Sequence, residues 1–171
     1  EQYENAKSML KSILKTSPLD ARANFLLGNV YLIQTVTDSA KIAYQKGLEG
    51  PDGAKLNYVG LGVIDLDNGN TVAAEANFAL VQLALGDAYY GDKNQNEAYA
   101  AYRNAFQIDP SLLRAKVQLG VLLKGAKSYD EAIKSFNEVI ALNPNYGPVY
   151  RELAETYYKW GRNKPSKSKE Y

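Results

Sequence analysis

The sequence predicts an all-α fold of repeated antiparallel helix pairs, and three ladders of residues carry that prediction. Alanines stand at Ala6, Ala40, Ala74, Ala98 and Ala132, at intervals of 34, 34, 24 and 34 residues. Glycines at Gly28, Gly62, Gly86 and Gly120 keep the intervals 34, 24 and 34, and the aromatics Tyr44, Phe78, Tyr102 and Phe136 keep the same three. A common step in three chemically unlike residue classes marks a repeat architecture, in which each unit buries its apolar face only against its neighbours. Pro110 and Pro144 add a fourth ladder of 34, with Pro18 at the matching place in the first unit.

The elements follow in order. Residues 1–20 read as the second helix, B, of a unit whose first helix, A, is absent. Residues 21–54 form a complete pair, with Gly50, Pro51 and Gly53 loosening its exit. A third unit covers 55–78, regular units cover 79–112 and 113–146, and 147–171 is a partial unit whose helix A occupies 147–160. Glycine on A and alanine on B lack bulk, so the paired backbones can approach closely. Tyr31, Tyr44, Phe78, Tyr89, Tyr102 and Phe136 then fill the space between pairs, each buried ring stabilising by roughly 1.5–3 kcal/mol. Pro18, Pro110 and Pro144 stop the B helices, because proline has no amide proton and biases the preceding residue out of helix. Asp67-Asn68-Gly69-Asn70, Gly91-Asp92 and Gly125-Ala126-Lys127 form A–B turns, while Ser128 with Glu131 and Asn94 with Glu97 have capping-box spacing. The third unit is short by ten residues, and the loss falls between Phe78 and Gln82, where B should end and the next A begin. The run Phe78-Ala79-Leu80-Val81-Gln82-Leu83 holds no turn residue, so the expectation is that residues are missing near 79–81. One continuous helix through 71–90 would overturn it.

These motifs resemble the tetratricopeptide repeat. Leu27-Gly28 with Tyr31, Ala40 and Tyr44 fit its pattern, as do Leu85-Gly86 with Tyr89, Ala98, Tyr102 and Pro110. Leu119-Gly120 with Ala132, Phe136 and Pro144 match too, although Leu123 replaces the Tyr, and Asp65 replaces it after Leu61-Gly62. The family's Trp is absent, with Asn24, Tyr58, Gln82 and Lys116 in its place. The resemblance implies a right-handed superhelix whose A helices line a concave groove for a peptide or protein segment. In that register the groove positions are Phe25, Asn29 and Leu32, then Val59, Val63 and Leu66, then Leu83, Asp87 and Tyr90. Val117, Val121 and Lys124 follow, and Arg151, Glu155 and Tyr158 end the strip. It is apolar through its middle, with Asn29, Asp87, Tyr90 and Lys124 as polar points, which suits an apolar peptide. The carboxylate clamp of the family's chaperone-tail binders is not reproduced. Asn29 matches one place, but Phe25, Gly60, Leu80 and Ala84 stand at the others.

Composition narrows the function further. Twenty Lys and Arg against nineteen Asp and Glu leave a net charge of +1, which makes no general case for nucleic acid or an anionic membrane. With no Cys and no His, thiolate chemistry, the usual zinc ligand and the commonest general base are all unavailable. No apolar run reaches the roughly 18–20 residues of a membrane helix, and no signal-peptide pattern opens the chain. Asp65-Leu66-Asp67-Asn68-Gly69 has the opening of a calcium loop, but Asn70 is sixth where Gly is needed and Ala76 twelfth where Glu is needed. Ala126 breaks the Gly-Lys step of a phosphate loop in 120–128, and Gly60-Leu61-Gly62 lacks the third glycine of a dinucleotide fingerprint. Lys159, Arg162, Lys164, Lys167 and Lys169 against Glu170 give the C-terminal stretch a charge of +4, read as a solvated end, with an anionic partner contact as the alternative.

The expected function is therefore a non-catalytic protein-interaction scaffold with no cofactor and no metal, binding a peptide or protein and not nucleic acid. Two alternatives stay open: an accessory substrate-positioning array of a larger enzyme, and a structural array that self-associates through its repeat ends. The compartment stays open as well. Absence of Cys suits an exported bacterial protein and a cytosolic one alike. The Tyr, Asn and Lys blend is similar to exported repeat proteins of Gram-negative bacteria, periplasmic or outer-membrane-associated.

Overall fold

The structure, a computed structural model, describes residues 2–50 and 54–163. Among the described residues it contains nine α-helices and no strand. They are α1 (Gln2–Thr16), α2 (Ala21–Ile33), α3 (Thr37–Leu48), α4 (Ala54–Asp67), α5 (Thr71–Gly91), α6 (Gln95–Ile108), α7 (Leu113–Gly125), α8 (Tyr129–Leu142) and α9 (Gly147–Asn163). The all-α expectation holds. The chain divides into two units, Glu1–Leu85 and Gly86–Tyr171, each with its own packing.

In the first unit α1 lies on α2, α2 pairs with α3, and α4 packs on both α2 and α3. The ring of Tyr44, fully buried, is clasped between Gly28 of α2 and Gly60 of α4. A Cβ at either glycine would overlap the ring carbons, so these two positions need glycine for space and not for backbone freedom. Gly62 stands in the same relation to the ring of Phe78. Ala40, Leu61 and Ile64 complete this core, with Phe25, Tyr31, Leu32 and Leu48 packed against it.

The second unit repeats the device. Gly86 meets the ring of Tyr102, and Gly120 meets the ring of Phe136. Glycine and ring are sixteen residues apart in all four pairs, the distance from the middle of one helix over the turn to the middle of the next. Val117, Ala132, Phe136, Val139 and Val149 form the core where α7, α8 and α9 meet. The alanine rungs Ala40, Ala74, Ala98 and Ala132 are buried, whereas Ala6 is only half-buried, on α1, which buries no residue.

Four turns reverse the chain within pairs in one way. Thr35, Gly69, Lys93 and Lys127 have φ of 59°, 75°, 61° and 64°. Their N–H groups donate to the carbonyls of Leu32, Leu66, Tyr90 and Lys124 at 2.9, 3.0, 3.1 and 3.1 Å. The next residue in each turn donates to a carbonyl five back: Tyr31, Asp65, Tyr89 or Leu123, at 2.9, 2.7, 2.8 and 2.9 Å. This double closure with a left-handed residue is the Schellman motif. The turns between pairs use side chains instead. Asp109 Oδ1 accepts from the Ser111 N–H at 2.9 Å and Asn143 Oδ1 from the Asn145 N–H at 3.0 Å, each across a proline. At the place of the absent Trp, Asn24 Nδ2 donates to the Pro18 carbonyl at 3.0 Å, and the Tyr150 hydroxyl to the Pro144 carbonyl at 2.6 Å.

Three expectations need correction or placement. Helix α5 runs unbroken from Thr71 to Gly91, so the gap expected near 79–81 is not there. A run without a turn residue continues as helix, and α5 thereby joins the B helix of one pair to the A helix of the next. Asn94 and Ser128 stand at N-caps but make no side-chain cap bond. Each is also the residue whose N–H closes the preceding turn, which holds ψ at 77° and 65° rather than the extended value a capping side chain needs. Asp20 caps instead, accepting from the Ala23 N–H at 2.7 Å. Pro51, Gly53, Lys164, Lys167, Lys169 and Glu170 lie outside the described residues.

Candidate functional site

The expected groove positions fall on the A-type helices α2, α4, α5, α7 and α9, and the structure sorts them into three kinds. In the first unit Phe25 leans on the core, its ring centroid 6.0 Å from that of Tyr44. Asn29 Oδ1 accepts the Tyr44 hydroxyl at 2.7 Å. Leu32 packs on the same core and Val59 is half-buried, while Val63 and Leu66 are 38% and 53% exposed. Leu83 is 4% exposed.

The second unit holds the charged positions, and they are already engaged. Asp87 accepts the Tyr102 hydroxyl at 2.8 Å on one oxygen and pairs with Arg114 at 2.6 Å through the other. Lys124 is buried between Glu152 and Glu155 of α9, 2.7 Å from each, and Lys159 reaches Glu155 at 2.7 Å. Val117 is buried and Val121 packs against the core. Tyr90, Arg151 and Tyr158 face outward, with the Arg162 guanidinium 5.9 Å from the Tyr158 ring centroid.

Three positions are corrected by burial. Leu83, Val117 and Lys124 are too enclosed to meet a partner: the first two belong to the packed interior, and the third is held inside an ion cluster. Helical register places a residue on a stripe but does not say how deep the stripe's edge lies. Arg114 and Glu152 escaped the sequence reading, since each is legible only as the partner of a residue on another helix. One signal was present, however. The two tyrosines of the ring ladder, Tyr44 and Tyr102, have Asn29 and Asp87 fifteen residues earlier, whereas Phe78 and Phe136 have Val63 and Val121 there.

The electrostatics follow from these contacts. Burial pushes the Tyr44 hydroxyl up to about 12. Burial does the same to Tyr102, and the hydrogen bond and charge of Asp87 push it higher still. Burial works against the Lys124 ammonium, but the two carboxylates outweigh it and hold its pKa above the ordinary lysine value. The hydrogen bond from Lys124, then that from Lys159, draws Glu155 down to about 2. Among the described residues there is no group of three or more metal-ligating side chains, and Asp65 accepts from Asn77 Nδ2 at 2.9 Å. No helix of the described residues is long and apolar enough to cross a membrane. Of the expected groove positions, Val63, Leu66, Tyr90, Arg151 and Tyr158 are exposed.

The tetratricopeptide repeat model matches residues 79–112 and 113–146. No curated protein sequence matches the chain. Among solved structures, YrrB, described as a TPR protein with an unusual peptide-binding site, is 20% identical, with 90% of this chain and 84% of that one covered and a TM-score of 0.48. PilF of Pseudomonas aeruginosa is 23% identical over 98% of this chain and 75% of its own, with a TM-score of 0.47. A tetratricopeptide repeat protein from Parabacteroides merdae is 22% identical over 97% and 70%, with a TM-score of 0.46. The chain carries two tetratricopeptide repeats, at residues 79–112 and 113–146, as the family model delimits them.

Proposed function

We propose that the chain is a non-catalytic scaffold that binds apolar protein or peptide segments on the A-helix faces of its units, each unit taken by itself. Tetratricopeptide repeats are in general protein-interaction modules, and an interaction scaffold is the function this fold suggests. The observation that carries the finer reading is the exposure of large apolar side chains on those faces. Val63 and Leu66 are 38% and 53% exposed on α4, and Tyr90 and Tyr158 are 47% and 66% exposed on α5 and α9. The neighbouring polar residues Asn29, Asp87 and Lys124 serve internal partners, so contact rests on apolar area, with Arg151 and Glu155 at its edge. A preformed face of this kind binds without an ordering cost to the scaffold.

The test selects peptides from a random display library on the intact chain and titrates the best of them. Leu66→Ser combined with Tyr90→Ala and Tyr158→Ala is expected to weaken binding at least tenfold while circular dichroism and melting stay unchanged. Equal binding by this variant refutes the assignment. Asn29→Ala and Asp87→Ala are unsuited to the purpose, since each leaves a tyrosine hydroxyl without its acceptor.

A further inference from the structure

We propose that the first unit carries a second docking cleft, on another face of α2, for an acidic protein segment that inserts an apolar side chain flanked by carboxylates. This reading stands independently of the A-helix faces. The cleft lies where α1, α2 and α3 meet and has a volume of about 430 Å³, within the range of ~300–1,000 Å³ common for ligand sites. Leu14, Leu27, Ile42 and Ala43 give it an apolar lining. Lys11 and Lys15 of α1 and Lys46 of α3 stand around that lining. All three lysines are exposed, and among the described residues none is paired with a carboxylate. Lys11 lies 6.0 Å from the centroid of the Tyr31 ring, and Ile42 is 55% exposed beside the opening.

The second unit contains the same construction with other side chains at the matching positions. Gly28, Thr35, Ala40 and Tyr44 correspond to Gly120, Lys127, Ala132 and Phe136, each 92 residues further on. On that correspondence Leu14 becomes Phe106, Asn24 becomes Lys116, Ile42 becomes Lys134 and Lys46 becomes Glu138. The Lys116 ammonium lies 5.2 Å from the Phe106 ring centroid and 2.6 Å from Glu138. At the corresponding positions the second unit thus carries an aromatic ring and a lysine–carboxylate pair. Here the ring is replaced by the smaller Leu14. Asn24 folds back onto the Pro18 and Asp20 carbonyls instead of reaching across. Lys46 reverses the charge of Glu138. What the first unit lacks is what its counterpart supplies from its own chain: an apolar group and a carboxylate. The missing complement has polypeptide chemistry, with acid on both sides to meet lysines on two helices.

The experiment uses the full chain and a fluorescein-labelled peptide Glu-Glu-Leu-Phe-Glu-Glu, read by anisotropy at low salt. Saturable binding is expected, weakened at least tenfold by replacing the four Glu with Lys, or the Leu-Phe with Ser-Gly. Screening at high salt is expected to weaken it as well. Two variants locate the site. Lys11→Gln with Lys46→Gln changes only exposed groups, and Leu14→Phe with Asn24→Lys and Lys46→Glu introduces the side chains of the second unit. Both are expected to bind at least tenfold more weakly, whereas Lys41→Gln, an exposed group of α3 outside the lining, binds as the parent does. Absence of saturable binding, equal binding by both cleft variants, or equal binding of the Lys-substituted peptide overturns the proposal. So does a dimer of the parent chain in sedimentation that the cleft-filling variant abolishes, since the occupant is then a second copy.

Discussion

A single hydroxyl decides what stands fifteen residues before it. The Tyr44 and Tyr102 rings are fully buried against glycine, and each O–H reaches an acceptor on the paired helix, Asn29 or Asp87. Where the ring is Phe78 or Phe136 there is nothing to satisfy, and valine stands at the matching place. Leaving a buried donor unpaired costs ~1–3 kcal/mol, so Asn29→Val is expected to destabilise by about that amount in urea unfolding. Adding Tyr44→Phe is expected to recover most of the loss, a coupling that a double-mutant cycle reads directly. The same hydroxyls set an alkaline limit. With its pKa raised from 10 to about 12, Tyr44 stays protonated in the folded state while the unfolded chain ionises. The stabilisation is complete below pH 10 and is lost as pH rises toward 12. Unfolding measured from pH 9 to 12 checks this, and Tyr44→Phe with Tyr102→Phe is expected to flatten the profile. The sequence showed the glycine and ring ladders because space is a property of residue size. It did not separate Asn29 and Asp87 from a ligand-binding strip, because an acceptor turned toward its own repeat and one turned toward a partner share the same helical register.

At the scale of the element, the turns show how a repeat hides in plain letters. The left-handed residues Thr35, Gly69, Lys93 and Lys127 keep the 34, 24, 34 steps of the other ladders, yet only one of them is glycine. Turn chemistry marks Gly69, whereas Thr35, a β-branched residue at φ 59°, carries no such signal and sits there against its preference. Thr35→Gly is accordingly expected to stabilise by ~1 kcal/mol in thermal or urea unfolding. Gly69→Ala is expected to do the opposite by a similar amount; nothing lies near its Cβ, so the backbone alone is responsible. Helix α5 is the converse case. Periodicity demanded a reversal between Phe78 and Gln82, and local chemistry offered none; the structure follows the local chemistry. Val81→Pro tests the continuity of α5, since a proline inside a helix costs ~3 kcal/mol or more and one in a turn costs little. The expected result is a large destabilisation accompanied by loss of helical dichroism.

Over the whole molecule the charges nearly cancel, but the two units use them differently, which a net charge of +1 conceals. The second unit ties its helices with Asp87–Arg114, Lys116–Glu138 and the cluster of Lys124 with Glu152 and Glu155. In the first, Lys7–Glu4 is the ion pair found among the described residues, and three lysines stand unpaired around a cleft. Sequence shows the sum and not the pairing, because partners sit 22 to 31 residues apart on separate helices. The Lys124 cluster gives this difference a measurable consequence. Glu155, normally near 4.5, is drawn to about 2, so its contribution is present above pH 4.5 and lost as pH falls through 2. Lys124, with its pKa raised, contributes below its ordinary value of 10.5 and plays no part in the acid window. Trp160, the chain's one tryptophan, is buried on the same helix as Glu155 and reports the unit by its fluorescence. Stability followed through Trp160 is expected to fall as pH drops from about 4.5 to about 2. Lys124→Met removes the main cause of the Glu155 shift and is expected to flatten that fall. An unchanged slope in the variant assigns the acid sensitivity to other carboxylates and removes the cluster as its source.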